Sequence, residues 1–170
     1  MTAFFAGCAS QKVAEPFEPV VKPTIDYIDV QARLGIEIPY GETGFREQAF
    51  DACDLGVALN TLKEPLRDCH SAFYVLVQVQ LSCRGTEESL SVLTESDLRA
   101  LSDRKLQWKI AKLSGDFKTN ERGVGVIRAI SGRSISKEFL RLSTGTDFLM
   151  MRVKQATAIV TPPAWCNLAN

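Results

Sequence analysis

Residues 72–83, AFYVLVQVQLSC, set the pattern against which the rest of the chain is read. Phe73, Val75, Val77, Val79 and Leu81 alternate with Tyr74, Leu76, Gln78, Gln80 and Ser82. A two-residue period rich in aromatic and β-branched groups predicts a half-buried strand. The absence of Gly and Pro suits a place inside a sheet rather than at its edge. Shorter runs follow. In residues 105–110, Leu106, Trp108 and Ile110 share one face, while Lys105, Gln107 and Lys109 share the other. Further strands are predicted at 89–93, 116–119, 124–130, 139–142, 148–153 and 156–160, separated by turns at 84–88, 120–123 and 131–136 and at Gly145, with 96–99 a loop or a single helical turn. Asn120-Glu-Arg-Gly123 reads as the turn of a hairpin joining 116–119 to 124–130, with Gly where φ is often positive. Pro162-Pro163 stops the last strand, and Trp165-Cys166 closes the fold.

Upstream of residue 72 the pattern is weaker. Pro16, Pro19 and Pro23 make residues 11–24 an extended, semi-rigid tether. In 25–34, Ile25, Ile28 and Ala32 fit a helix, Ile28 and Val30 fit a strand, and a segment that orders only on binding fits equally well. Residues 36–44, with Pro39, Gly41 and Gly44, read as loop; in 45–62, Phe45, Ala49, Cys53 and Val57 recur every four residues, as in a short helix or turn. The expected organisation is a truncated signal at 1–8, a tether at 9–35, an irregular segment at 36–70 and a β-sandwich domain at 71–170.

Charge sharpens this picture. The net charge is zero, which argues against bulk attraction to nucleic acid. Yet residues 1–98 carry 7 basic and 15 acidic side chains, and residues 99–170 carry 13 and 5. Either these are ordinary solvated faces, or a bipolar surface orients the protein in an assembly. The outward residues of the later strands, Lys105, Lys109, Arg141 and Arg152, are the candidate interaction set for an acidic partner.

Catalytic chemistry finds little footing. His70 is the only histidine and lies beside Cys69. A Cys–His nucleophile needs a thiolate, which a disulfide-forming compartment disfavours, so His70 reads as a surface residue. Glu47, Asp51 and Asp54 cluster near Cys53 without the spacing of a calcium loop and read as solvated carboxylates. Trp108 reads as a core aromatic rather than a ligand platform, and Tyr40 and Tyr74 are the tyrosines available to a binding module. No metal site or cofactor is expected, because the cysteines are widely spaced. Cys53 and Cys69 bracket a segment with little regular structure to hold it, and Cys83 ends the central strand while Cys166 follows the last one. The expected pairs are therefore Cys53–Cys69 and Cys83–Cys166, which leaves Cys8 as the odd thiol.

Phe5-Ala6-Gly7-Cys8 resembles the lipobox of bacterial lipoproteins. The resemblance implies cleavage before Cys8, a diacylglycerol on its thiol, and the rest of the signal peptide upstream of Met1. Ala9 and Ser10 lack the Asp that retains such proteins at the inner membrane, which implies the outer membrane. Leu106-Gln-Trp108-Lys-Ile110, Gly115 and Thr119-Asn-Glu-Arg-Gly123-Val-Gly125 resemble the bacterial Ig-like and transthyretin-like sandwich domains of surface and periplasmic proteins, over residues 72–161. The expected protein is mainly β, a lipid-anchored outer-membrane lipoprotein facing the periplasm. Its expected role is a non-enzymatic structural subunit or assembly factor of an envelope machine, such as a secretion or motility apparatus. Its partners would then be the membrane and other envelope proteins, in an oligomeric assembly. A monomeric periplasmic module for peptidoglycan, glycan or protein is the alternative, and an enzyme ranks third.

Overall fold

The structure, a computed structural model, describes residues 24–62, 65–84 and 98–166. Cys8 and its lipobox-like surroundings, the proline-rich run to residue 23, the turn after Arg84 and the strand expected at 89–93 lie outside the described residues. Among the described residues, nine strands form two sheets. In chain order they are β1 (Gly44–Phe50), β2 (Ala72–Arg84), β3 (Leu98–Ala100), β4 (Lys105–Ile110), β5 (Leu113–Lys118), β6 (Val124–Ser131), β7 (Phe139–Thr144), β8 (Asp147–Arg152) and β9 (Ala158–Thr161).

The thirteen-residue β2 organises the five-stranded sheet, since β1, β3, β6 and β9 all pair with it. Gln80 pairs with Val124 of β6 and with Ala158 of β9, so those two strands flank opposite sides of β2. All pairings in this sheet are antiparallel except β2 with β9. The second sheet is four-stranded and antiparallel in the order β5-β4-β7-β8, with the chain passing through β6 of the first sheet between β5 and β7. The sheets pack face to face around Val75, Val77, Val79 and Leu81 from one and Leu106, Trp108, Ile110, Leu140 and Leu142 from the other.

The other face of β2 is also covered. Tyr74 and Leu76 join Val30, Ile36, Ile38, Ala52 and Ile130 in a second apolar cluster. The strand is thus buried on both faces over much of its length, not half-buried, and the molecule has three layers. The third layer begins with α1 (Tyr27–Leu34), whose first turn is capped by Asp26 accepting from the Ile28 and Asp29 amides at 3.0 and 3.1 Å. This resolves the ambiguity at 25–34 in favour of helix, ordered by packing within the chain, so residues 27–34 are not an extended tether. Val30, flanked by Tyr27 and Leu34, faces inward, whereas Ile28 is 63% exposed.

Two further expectations change. The stretch 45–50 is strand β1 rather than helix, and the helical segment, a 3-10 helix, begins only at Cys53 and runs to Thr61. Leu98–Ala100 is a strand as well, not a loop or helical turn. The 120–123 turn has the expected form: Asn120 Oδ1 accepts from the Arg122 and Val124 amides at 2.9 and 3.0 Å, and Gly123 has φ +76°. It is not a hairpin, however. β5 pairs with β4, and β6 with β2, so the turn arches from one sheet to the other. The buried Thr119 hydroxyl anchors the arch by donating to Leu101 O and accepting from the Arg104 amide. The hairpin in this region is instead β4–β5, turning at Ala111, which has φ +52°.

Both expected disulfides form. Cys53–Cys69 has a Cα separation of 4.8 Å and Cys83–Cys166 one of 5.8 Å, within the range a disulfide spans. Pairing of β9 beside β2 puts Thr161 opposite Cys83 and delivers α2 (Pro163–Cys166), with its buried Trp165, to the bond.

Candidate docking face

Because β4, β5, β7 and β8 turn every second side chain inward, the alternate residues build a broad outward face on the four-stranded sheet. Lys105, Lys109, Arg141 and Arg152 are all exposed there. Register brings three of them together. Lys109 lies opposite Arg141, Arg141 opposite Met150, and Phe139 opposite Arg152. Lys105 stands at the far end of β4, 3.7 Å from Asp116.

Apolar groups share the cationic end. Phe139, Phe148 and Met150 are 46%, 51% and 58% exposed. The Arg141 guanidinium sits 4.2 Å from the Phe148 ring centroid, and that of Arg152 4.8 Å from Phe139. Each contact contributes ~0.5–1 kcal/mol at an exposed site, which biases the guanidinium towards its ring and reduces the freedom lost on binding. Exposed Phe, Met and Arg grouped together match the composition of protein interfaces. Between the strands lies a depression of about 420 Å³, lined by Gln107, Lys109, Ser114, Asp116, Arg141 and Ser143. The face can therefore bind a carboxylate-bearing surface and cover apolar rings.

The remaining candidates separate. The Cys53 and Cys69 sulfurs and a His70 ring nitrogen lie within 4.8 Å of one another. The sulfurs are bonded to each other, however, which removes the thiolates that a metal or a nucleophile would need. His70 Nδ1 instead meets Asp51 Oδ2 at 2.8 Å. That hydrogen bond, reinforced by the carboxylate charge, raises the His70 pKa and lowers that of Asp51. Glu47 belongs elsewhere: it accepts from the Ser134 hydroxyl and, at 2.7 Å, from the Ile135 amide, fastening the β6–β7 loop to β1. The carboxylate cluster expected at Glu47, Asp51 and Asp54 thus falls apart into a loop clasp, a histidine partner and an exposed Asp54.

Tyr74 is buried, not available to a ligand. Its hydroxyl donates to Tyr27 O at 2.6 Å, and burial pushes its pKa up to about 12. Tyr40 is 79% exposed with the Arg122 guanidinium 5.2 Å from its ring. Trp108 is a core residue, as expected, lying opposite Gly115, where a Cβ would come within 2.9 Å of the indole nitrogen. It also borders a groove of about 690 Å³ between β5, β6 and the start of α1, shared with Ile25, Tyr27, Leu62 and Arg128.

The sequence reading missed the aromatic half of the candidate docking face. The signal was present: Phe139 and Phe148 fall in the same outward phase as Arg141 and Arg152 once the strands are aligned. Cys8, the expected lipidation site, lies outside the described residues. Comparison with protein families, with curated proteins and with solved structures finds no match for this chain.

Proposed function

We propose that this chain is a non-enzymatic subunit or assembly factor of a multi-protein machine of the bacterial cell envelope. In this reading Cys8 carries the lipid that holds it at the periplasmic side of the outer membrane, and the body is an Ig-like or transthyretin-like sandwich. It binds an acidic partner protein through the outward face of the four-stranded sheet. The observation that carries the reading is the grouping of Lys109, Arg141 and Arg152 with exposed Phe139, Phe148 and Met150 on one face of the four-stranded sheet. The two disulfides support an oxidising compartment.

The test is co-purification from detergent-solubilised envelopes. Wild-type protein should retain stoichiometric partners, and Lys109→Glu with Arg141→Glu should release them. Identical capture by both would defeat the reading. Mass spectrometry of the same material should find a new N-terminus at an acylated Cys8; an intact, unmodified start would remove the anchor from the account. A second reading, a monomeric module for peptidoglycan or glycan, is favoured by the groove beside Trp108. It predicts binding to isolated sacculi that is insensitive to the Lys109 and Arg141 changes.

A further inference from the structure

The unequal charge along the chain becomes an unequal charge across the layers. Residues 24–71, which supply α1, β1, the 3-10 helix and their loops, carry nine acidic and four basic side chains. Asp26, Asp29, Glu37, Glu42, Asp54 and Asp68 are all exposed. Most of this segment packs on the side of the five-stranded sheet that faces away from the sandwich core. Residues 104–118 and 137–154, which supply the four-stranded sheet, carry nine basic and three acidic side chains. The four-stranded sheet is therefore net basic, and the segment that forms the helical layer is net acidic, although Arg128, bonded to Gln31, and Arg122, over Tyr40, add two positive charges to that layer. Each end also exposes apolar groups: Ile28 and Tyr40 on the acidic layer, and Phe139, Phe148 and Met150 on the basic one.

Resting on the docking reading above, we infer that the acidic partner of the basic face is the helical layer of a second copy of this chain. The association is head to tail. Two basic faces brought together would set Arg141 and Lys109 against their own kind, and two acidic layers would do the same, so symmetric pairing is repelled. A head-to-tail contact instead puts opposite charges together and leaves one face free at each end. Such a contact builds a ring or an open filament according to the rotation it imposes, as a structural subunit requires. Four strands spaced ~4.8 Å apart and six residues long give a face of about 19 by 20 Å. An area of that size makes a weak contact in free solution, strengthened when copies are concentrated, as on one membrane. Charge attraction of this kind acts over a Debye length of ~10 Å in 0.1 M salt and ~3 Å in 1 M.

The test uses the full, oxidised chain in sedimentation experiments. Wild type should gain mass with concentration at low salt, with an association constant at least about tenfold lower in 1 M than in 0.1 M salt, where screening has shortened the attraction. One variant, Lys109→Glu with Arg141→Glu, disables the basic face. Another, Glu37→Gln with Glu42→Gln and Asp54→Asn, disables the acidic layer by neutralising it, so that it offers the reversed basic face nothing to attract. Each alone should stay monomeric, and circular dichroism should show both folded. Mixed, they should form one-to-one dimers and nothing larger, because each supplies the face the other lacks. Self-association of either variant alone, or growth of the mixture beyond dimers, would overturn the inference. So would a wild type that stays monomeric at every concentration. If such a monomer still lost its envelope partners through Lys109→Glu and Arg141→Glu, the docking reading would survive with a different protein as partner. A monomer that sediments with vesicles containing phosphatidylglycerol, but not with purely zwitterionic ones, would assign the face to a bilayer instead.

Discussion

Replacing Gly123 by Ala tests the arch that joins the two sheets, and Gly145→Ala is its built-in control. Both glycines have positive φ, +76° and +57°. An alanine in that region costs ~1 kcal/mol at either site. Their surroundings differ. A Cβ at Gly145 meets nothing within 4 Å, whereas one at Gly123 runs into the Leu81 carbonyl oxygen and approaches the Leu101 amide to 3.1 Å. That junction holds two backbone hydrogen bonds, Leu81 N to Gly123 O at 2.8 Å and Leu101 N to Leu81 O at 2.9 Å. Relieving the clash breaks or stretches both, at ~1 kcal/mol each. The sum is about 3 kcal/mol for Gly123→Ala against about 1 for Gly145→Ala, from the strain and hydrogen-bond magnitudes together. For a chain of this size 1 kcal/mol moves the thermal midpoint by ~2–4 °C, so the midpoints should fall by about 9 and about 3 °C. Circular dichroism melts and urea titrations of the oxidised protein read both values. Equal losses, or a larger loss at Gly145, would mean that the arch does not pack against β2 as described.

Three further outcomes follow from the same contacts. Cys83–Cys166 closes a separation of 83 residues and Cys53–Cys69 one of 16. In the chain-entropy account these are worth ~4.5 and ~3 kcal/mol, so paired Cys→Ala substitutions should destabilise more at the first bond, and the reverse order in urea would contradict this. NMR titration should place the His70 midpoint above 6.5, and Asp51→Asn should lower it; no change would show that the two side chains do not meet. The raised His70 pKa means that its support of the fold is complete below pH 6.5 and fades as pH rises through the folded midpoint. Support from Asp51, whose pKa is lowered, is complete above 3.8 and fades as pH falls through its own. Tyr74→Phe removes the hydrogen bond to Tyr27 O and should cost ~1 kcal/mol, while in the wild type the Tyr74 phenolate should appear only near pH 12; ionisation well below that would place Tyr74 at the surface.

What the sequence made legible was local. The alternation Leu106, Trp108, Ile110 identified β4 with its inward face, and Asn120 and Gly123 identified their turn, because each depends on a few neighbouring residues. The same turn was misplaced in the topology, since nothing within Thr119–Gly125 says whether the flanking strands pair with each other or with distant partners. β1 was missed for a related reason. Its sequence, GFREQAF, has only two large apolar residues, and its strand state is imposed by pairing along β2 from Gly44↔Gln78 to Phe50↔Ala72. β2 was expected to be half-buried because Gln78, Gln80 and Ser82 mark one face as polar, but Tyr74 and Leu76 at its start carry that face into a second core. The basic set was legible as four residues. The phase that puts Phe139 on the same side as Arg141 and Phe148 on the same side as Arg152 was present within each strand, but their grouping across strands depends on the β7–β8 register. The two-sided charge was visible as a difference between chain halves. Only the fold turns it into opposite layers, by sending residues 24–71 largely to one side of the five-stranded sheet and building the other outer surface from 104–118 and 137–154.

Site-specific photocrosslinking in intact cells tests the central claim most directly. A photoreactive phenylalanine analogue placed at Phe148 or Phe139 samples the docking face, and one at Val160, 46% exposed on β9 of the other sheet, samples a comparable surface away from it. The account predicts discrete protein adducts from positions 148 and 139, lost when Lys109→Glu and Arg141→Glu are added, and none from position 160. Adducts from position 160 alone, or adducts from 148 and 139 that persist after both charges are reversed, would contradict it.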